Sequence, residues 1–164
     1  MALFYVDTSA IIKRYQREKG TGVVDQLIDN PVGEDRFYTS FLSVLELTSG
    51  IMRLTKGGQL QEHNANELIA RFREDLRQRF RVWPLDNDIT SKAVSIVEQH
   101  KLRSADAIHM ATALAIFSLI SGHDSVLVSS DHEMLEAAEA SQLATIDPQE
   151  ANSLDKLFQL RVDH

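Results

Sequence analysis

Residues 3–12 read LFYVDTSAII. Four apolar residues, Leu3 to Val6, stop at a carboxylate, Asp7, and two hydroxyl residues, Thr8 and Ser9, lead into a second apolar pattern. A short apolar run closed by such a switch in periodicity predicts a buried strand over 3–7, with Thr8 or Ser9 capping a helix that continues through Arg14 towards Glu18. An Asp at the end of a buried strand needs a reason, and the rest of the chain supplies one.

The same alternation repeats along the sequence. Gly20-Thr21-Gly22 separates the first helix from a second over 22–29, which Asn30-Pro31 ends. A strand over 36–39 precedes a helix over 41–55, carried by Leu42, Leu45, Leu47, Ile51 and Leu54 and stopped by Gly57-Gly58. A charged helix over 60–80 leads to a strand over 81–85, where Pro84 argues for the edge of a sheet. Helices over 88–100 and 105–120, a strand over 125–129, a helix over 132–140 and a strand over 143–146 complete the pattern. Strands alternating with helices predict an α/β domain with a mostly parallel sheet. No repeat or linker divides the chain, so one domain over 1–148 is expected, with 149–164 as a tail packed on or extending it.

Composition sets limits on function. The chain has 164 residues, 43% of them hydrophobic, enough for a sizeable core. It has no cysteine, which removes disulfides, thiolate metal sites and cysteine nucleophiles and is compatible with a reducing cytoplasm. No basic leader precedes an apolar segment, and the longest apolar stretch, Ala105 to Ser121, contains Asp106 and His109, so neither a signal peptide nor a membrane span is expected. A net charge of -7 argues against a protein that coats nucleic acid by bulk positive charge.

Placed on this map, the carboxylates converge. Asp7 ends the first strand, Asp131 follows the strand over 125–129, and Asp106 opens the most apolar helix, while Glu46 interrupts the apolar run Val44-Leu45-Glu46-Leu47. Ligands of open parallel sheets gather outside the carboxyl ends of the strands. Carboxylates crowded there raise one another's pKa unless a cation sits between them, and oxygen ligands without cysteine suit Mg²⁺ or Mn²⁺ better than zinc. Each residue also has a plainer reading: Asp7 and Asp131 as helix caps, Asp106 as a charge favoured at a helix start, Glu46 as an exposed helical residue. Their joint occurrence is what favours a metal site.

Four pieces, YVDTSAIIKRY (5–15), TSFLSVLELTSGI (39–51), LRSADAIHMATAL (102–114) and VLVSSDHEMLEAAEASQLATIDP (126–148), resemble the successive motif blocks of the PIN-domain family, most closely the VapC-type ribonuclease toxins of toxin–antitoxin pairs. The resemblance implies a three-layer α/β/α fold. It also implies that Asp7, Glu46, Asp106 and Asp131 hold Mg²⁺ or Mn²⁺ and carry metal-assisted hydrolysis of RNA, leaving a 5′-phosphate. Thr8 and Ser9 match the hydroxyl positions after the first Asp, and Ser129 stands where the family often has Thr. A VapB-like antitoxin and a homodimer are the partners it implies. The segment 57–80 and the tail make this chain longer than many small toxins of the family.

Two further features have readings of their own. His109 lies on about the same helical face as Asp106, and a histidine satisfied within an apolar helix is the favoured reading, not a ligand. Arg71, Arg73, Arg77, Arg79 and Arg81 form a basic stretch in which Arg77 and Arg79, together with Arg14, are candidates for gripping RNA phosphates, against a solvated helix face. Rival folds fit less well. A haloacid-dehalogenase-type phosphatase needs a second Asp where Ser9 stands, and a receiver domain needs an acidic pair that the first strand lacks. A catalytically inactive PIN-like binding module and a free-standing PIN ribonuclease without an antitoxin are the remaining alternatives.

Overall fold

The computed structural model describes residues 2–120 and 122–162. Five strands, β1 (Ala2–Val6), β2 (Arg36–Ser40), β3 (Phe80–Trp83), β4 (Asp124–Val128) and β5 (Ala144–Ile146), pair in parallel in the order β3-β2-β1-β4-β5. β1 is buried along its whole length, as expected of a central parallel strand covered on both faces. Its alternate residues serve two cores: Phe4 and Val6 face one, Leu3 and Tyr5 the other.

Among the described residues, eight α-helices cover the two faces, giving a three-layer α/β/α fold. On one side lie α1 (Thr8–Ile11), α2 (Thr21–Asp29), α3 (Phe41–Lys56), α4 (Glu62–Gln78) and α8 (Ser153–Val162), contributing Ile11, Leu27, Leu47, Phe72 and Leu157 to the first core. On the other lie α5 (Asn87–His100), α6 (Ser104–Leu119) and α7 (His132–Ala140), contributing Ile89, Met110, Ile116 and Met134. Helix α6 has buried residues all round, which makes it an interior helix. No helix among the described residues is long and apolar enough to cross a membrane.

Most sequence-derived elements fall within a residue or two of these bounds, and the differences have physical causes. β1 ends at Val6 and not at 7, so the cap of α1 is Asp7 itself, whose side chain accepts from Ala10 N, and neither Thr8 nor Ser9 takes that place. The first helix is far shorter than expected: a 3-10 turn over Ile12–Arg14 follows α1, and the Thr21 hydroxyl donates to Lys13 O at 2.8 Å, where a longer helix would have placed a backbone donor. β3 begins at Phe80 and lies at the sheet edge, where Pro84 directly after it costs no ladder bond.

The segment after β5 is tied firmly to the body. Leu157 of α8 is fully buried, and Arg161 pairs with Asp35 at 2.9 Å with both side chains 3% exposed. The Arg161 guanidinium also donates to Leu27 O and stands over the Phe4 ring. Residues 163–164 of the expected tail lie outside the described residues.

Because Asp35 also accepts from Ala2 N and Val32 N, losing the two partners has unequal cost. Asp35→Ala strands a buried guanidinium and two backbone donors and is expected to cost about 3–5 kcal/mol in urea unfolding. Arg161→Met leaves the carboxylate its backbone donors and is expected to cost clearly less; the reverse ranking would contradict this account of the ion pair.

Candidate metal centre

The strand order reverses at β1: the chain runs outward through β2 and β3, then returns to place β4 on the other side of β1. The crevice outside the carboxyl ends of β1 and β4 is therefore the switch point where parallel sheets bind ligands. Asp7 and Ser129 are the first residues beyond those two strands. Asp7 N donates to Val128 O at 3.1 Å, fixing the ends together.

Asp7 is 3% exposed and densely bonded. Its carboxylate accepts from Ser9 Oγ at 2.8 and 3.0 Å, from Ala10 N at 3.0 Å and from Ser129 Oγ at 3.0 Å. Ser9 Oγ in turn accepts from Ser130 N at 2.8 Å, and Ser129 Oγ from Asp131 N at 3.0 Å. The two hydroxyls thus stitch the β1 and β4 loops around one carboxylate. Burial nonetheless pushes the Asp7 pKa up, against the opposing influence of His109 and these hydrogen bonds.

Asp106 sits in the first turn of α6 and is half-buried. Its pKa is raised by burial first, then by the negative charges of Asp131 and Asp7, with His109 and Arg103 pulling the other way. Asp106 therefore feels two of the other three expected carboxylates. Asp131 also caps α7, accepting from Met134 N at 3.1 Å, so its plainer reading and its place beside Asp106 hold together.

Glu46 enters from α3 on the other side. Its Oε2 accepts from Thr8 Oγ1 at 2.5 Å and lies 2.9 Å from His109 Nε2. Burial pushes its pKa up, but the bonds from His109 and Thr8 outweigh that, and the net shift is downward. His109 is buried as expected of a core histidine, yet its ring also reaches this carboxylate, with Nδ1 2.8 Å from the Tyr5 hydroxyl. That link was missed at the sequence level; its signals were the three-residue spacing from Asp106 and a tyrosine hydroxyl in a buried strand, which needs a partner.

Among the described residues no group of three or more carboxylate or imidazole side chains is already gathered closely enough to hold a metal ion. The donor set still fits a hard cation that keeps much of its water: all oxygen, acidic, and short of positive charge, as the upward shifts of Asp7 and Asp106 register.

The arginines go elsewhere. Arg14, with its side chain 10% exposed, is held by Asp25, Asp29 and Asp75 at 3.0–3.1 Å. Burial lowers its pKa, but Asp29 and Asp75 more than reverse this, raising it overall. Arg79 pairs with Asp29 and Asp75 and donates to Ile28 O. Arg77 is exposed on α4 beside Glu74. The structure thus gives Arg14 and Arg79 carboxylate partners that tie α4 to α2.

Residues 4–140 match the family model of the PIN domain. The chain belongs to the PIN-domain family. Within it the protein is VapC-like: it is 30% identical over 149 residues to "Ribonuclease VapC35" of Mycobacterium tuberculosis, covering 91% of this chain and 99% of that protein. Among solved structures, FitAcB from Neisseria gonorrhoeae superposes with a TM-score of 0.61 at 23% identity, covering 88% of this chain and 97% of that one. VapBC-1 from nontypeable Haemophilus influenzae gives 0.59 at 19% identity, covering 90% and 99%. At those identities the structural likeness concerns the fold.

The raised Asp7 pKa has a stability consequence whose sign can be worked out. The folded state holds the Asp7 proton more tightly than the unfolded chain, so the folded protein is penalised as pH rises from the ordinary carboxylate value through the raised folded one. The penalty is present at neutral pH. Asp7→Asn is therefore expected to melt higher than wild type in chelator at pH 7, with the gain shrinking as the pH falls through the raised folded value towards the ordinary carboxylate value and levelling off below it. A variant that melts lower at pH 7, or a gain that grows on acidification, would contradict it.

Proposed function

We propose that this protein is a metal-dependent endoribonuclease and the toxin of a VapBC-type toxin–antitoxin pair. The observation that carries the reading is the placement of Asp7 and Asp131 just beyond β1 and β4 at the switch point of the sheet, with Asp106, whose pKa both raise, at the start of α6 and Glu46 of α3 held by Thr8 next to Asp7. The relatedness to a protein named as a VapC ribonuclease over nearly its full length supports RNA as the substrate. In this reading the nuclease body spans 1–148, α8 extends the same body, and the protein acts in the cytoplasm.

The residues fit Mg²⁺ or Mn²⁺, held by Asp7, Glu46, Asp106 and Asp131 directly or through water. When bound, such an ion lowers the pKa of a coordinated water and stabilises charge on the phosphate and the leaving oxygen. The chain itself does the placing. Ser9 and Ser129 fix the Asp7 carboxylate, and Thr8 fixes Glu46. Asp106 and Asp131 present acceptors at the mouths of α6 and α7, whose N-terminal dipoles favour an approaching phosphate. This chemistry does not require the ribose 2′-hydroxyl as nucleophile, so the products carry a 5′-phosphate and a 3′-hydroxyl. Arg14 and Arg79 we assign to tying helices together; Arg77 retains its exposed charge for RNA phosphates.

Partners follow the same reasoning. Solved relatives include the complexes VapBC-1 and a toxin–antitoxin complex from Klebsiella pneumoniae, which supports an antitoxin here. Phe41, Leu45 and Met52 of α3 are 48%, 53% and 50% exposed, an apolar face that supports a homodimer.

The test is cleavage of a structured-RNA pool, with end mapping, by wild type and Asp106→Asn in Mg²⁺, Mn²⁺ and chelator. Wild type should cut only with metal and leave 5′-phosphates, and the variant should lose about 100-fold or more, the scale of removing one group that stabilises transition-state charge. Equal cutting by both proteins would mean that the acidic site is not responsible.

A further inference from the structure

His109 links the core to the acidic cleft. It is 2% exposed within α6, and its ring lies between Tyr5, fully buried in β1, and Glu46 on α3. A carboxylate only accepts hydrogen bonds, so the His109 nitrogen facing Glu46, Nε2, carries the hydrogen. Nδ1 lies 2.8 Å from the Tyr5 hydroxyl, so the ring is held at both ends. Thr8 Oγ1, 3.3 Å from Nε2, donates to the same Glu46 oxygen.

The consequence lies in which oxygen is used. Both donors converge on Oε2, which leaves Glu46 Oε1 outside this pair of bonds. A glutamate on an open helix face samples many rotamers, and ordering it on binding costs affinity; a glutamate already held by one oxygen avoids that cost.

We propose that His109 is a positioning residue, through which Tyr5 and α6 hold Glu46 by Oε2 so that Oε1 is presented to a divalent cation and its water shell. The inference rests on the cation site proposed above. It assigns a use to a buried histidine that packing alone would not require to face a carboxylate. Hydrogen-bonded partners of ligating groups typically contribute 10–100-fold to metal affinity.

The experiment is calorimetric titration of Mn²⁺ into wild type, His109→Leu, His109→Gln and Tyr5→Phe, each first checked for cooperative unfolding in chelator. His109→Leu should weaken Mn²⁺ binding about 10–100-fold. His109→Gln, whose amide nitrogen reaches the place of Nε2, should recover much of the loss, and Tyr5→Phe should show a smaller loss than His109→Leu. A purely structural histidine would lower the unfolding midpoint while leaving the Mn²⁺ affinity of the folded protein unchanged, and that result overturns the proposal. Should His109→Leu fail to fold, His109→Gln against the shorter His109→Asn decides, since equal affinities would overturn it. Wild type that binds no Mn²⁺ would overturn the cation site itself and this inference with it, whereas binding by wild type and an unaffected His109→Leu would sink only the positioning role.

Discussion

A carboxylate buried at the end of the central strand is the constraint on which the rest of the structure depends. Asp7 lies at the point where the sheet reverses direction, almost without contact with water, and satisfies its oxygens with two serine hydroxyls and one backbone amide. Those bonds hold the β1 and β4 loops in register. They do not fully compensate for burial, since the carboxyl still titrates high. A site that stores uncompensated negative charge in this way is less stable by itself than an apolar one of the same shape, and in the proposed function a cation would offset that charge.

The two cores act on this site from opposite faces. One carries α3, and with it Glu46; the other carries α6 and α7, and with them Asp106, His109 and Asp131. Since β1 contributes alternate residues to each core, its pleat sets the distance between the two groups of acidic residues. Away from the cleft, the charges are used for cohesion. Arg14 and Arg79 bind α4 to α2, and Arg161 with Asp35 closes α8 onto the body. This explains how a chain of net charge -7 keeps its acidic cleft short of positive charge.

The elements themselves were legible because their signals are local. Periodicity, Pro84 and the paired glycines at 57–58 locate strands and helices within a few residues, and Asp7, Asp106 and Asp131 stand out as carboxylates at element ends. The early end of the first helix was not legible, because it depends on a competing bond from Thr21 to Lys13 O. Nor were the roles of Arg14, Arg161 and His109. Each depends on a partner distant in sequence, 61 residues away for Asp75 of Arg14, 126 for Asp35 of Arg161 and 104 for Tyr5 of His109. Composition and spacing carry no information on such pairings until the sheet order is known.

The most direct test of the central claim is a crystal structure of the protein grown with Mn²⁺, with the ion located by its anomalous scattering. The account predicts an anomalous peak in the cleft beyond β1 and β4, within ligand or water-bridged distance of Asp7, Asp106 and Glu46 Oε1. A cleft without a peak at saturating Mn²⁺, or an ion bound only at the Asp25, Asp29 and Asp75 cluster, would contradict it.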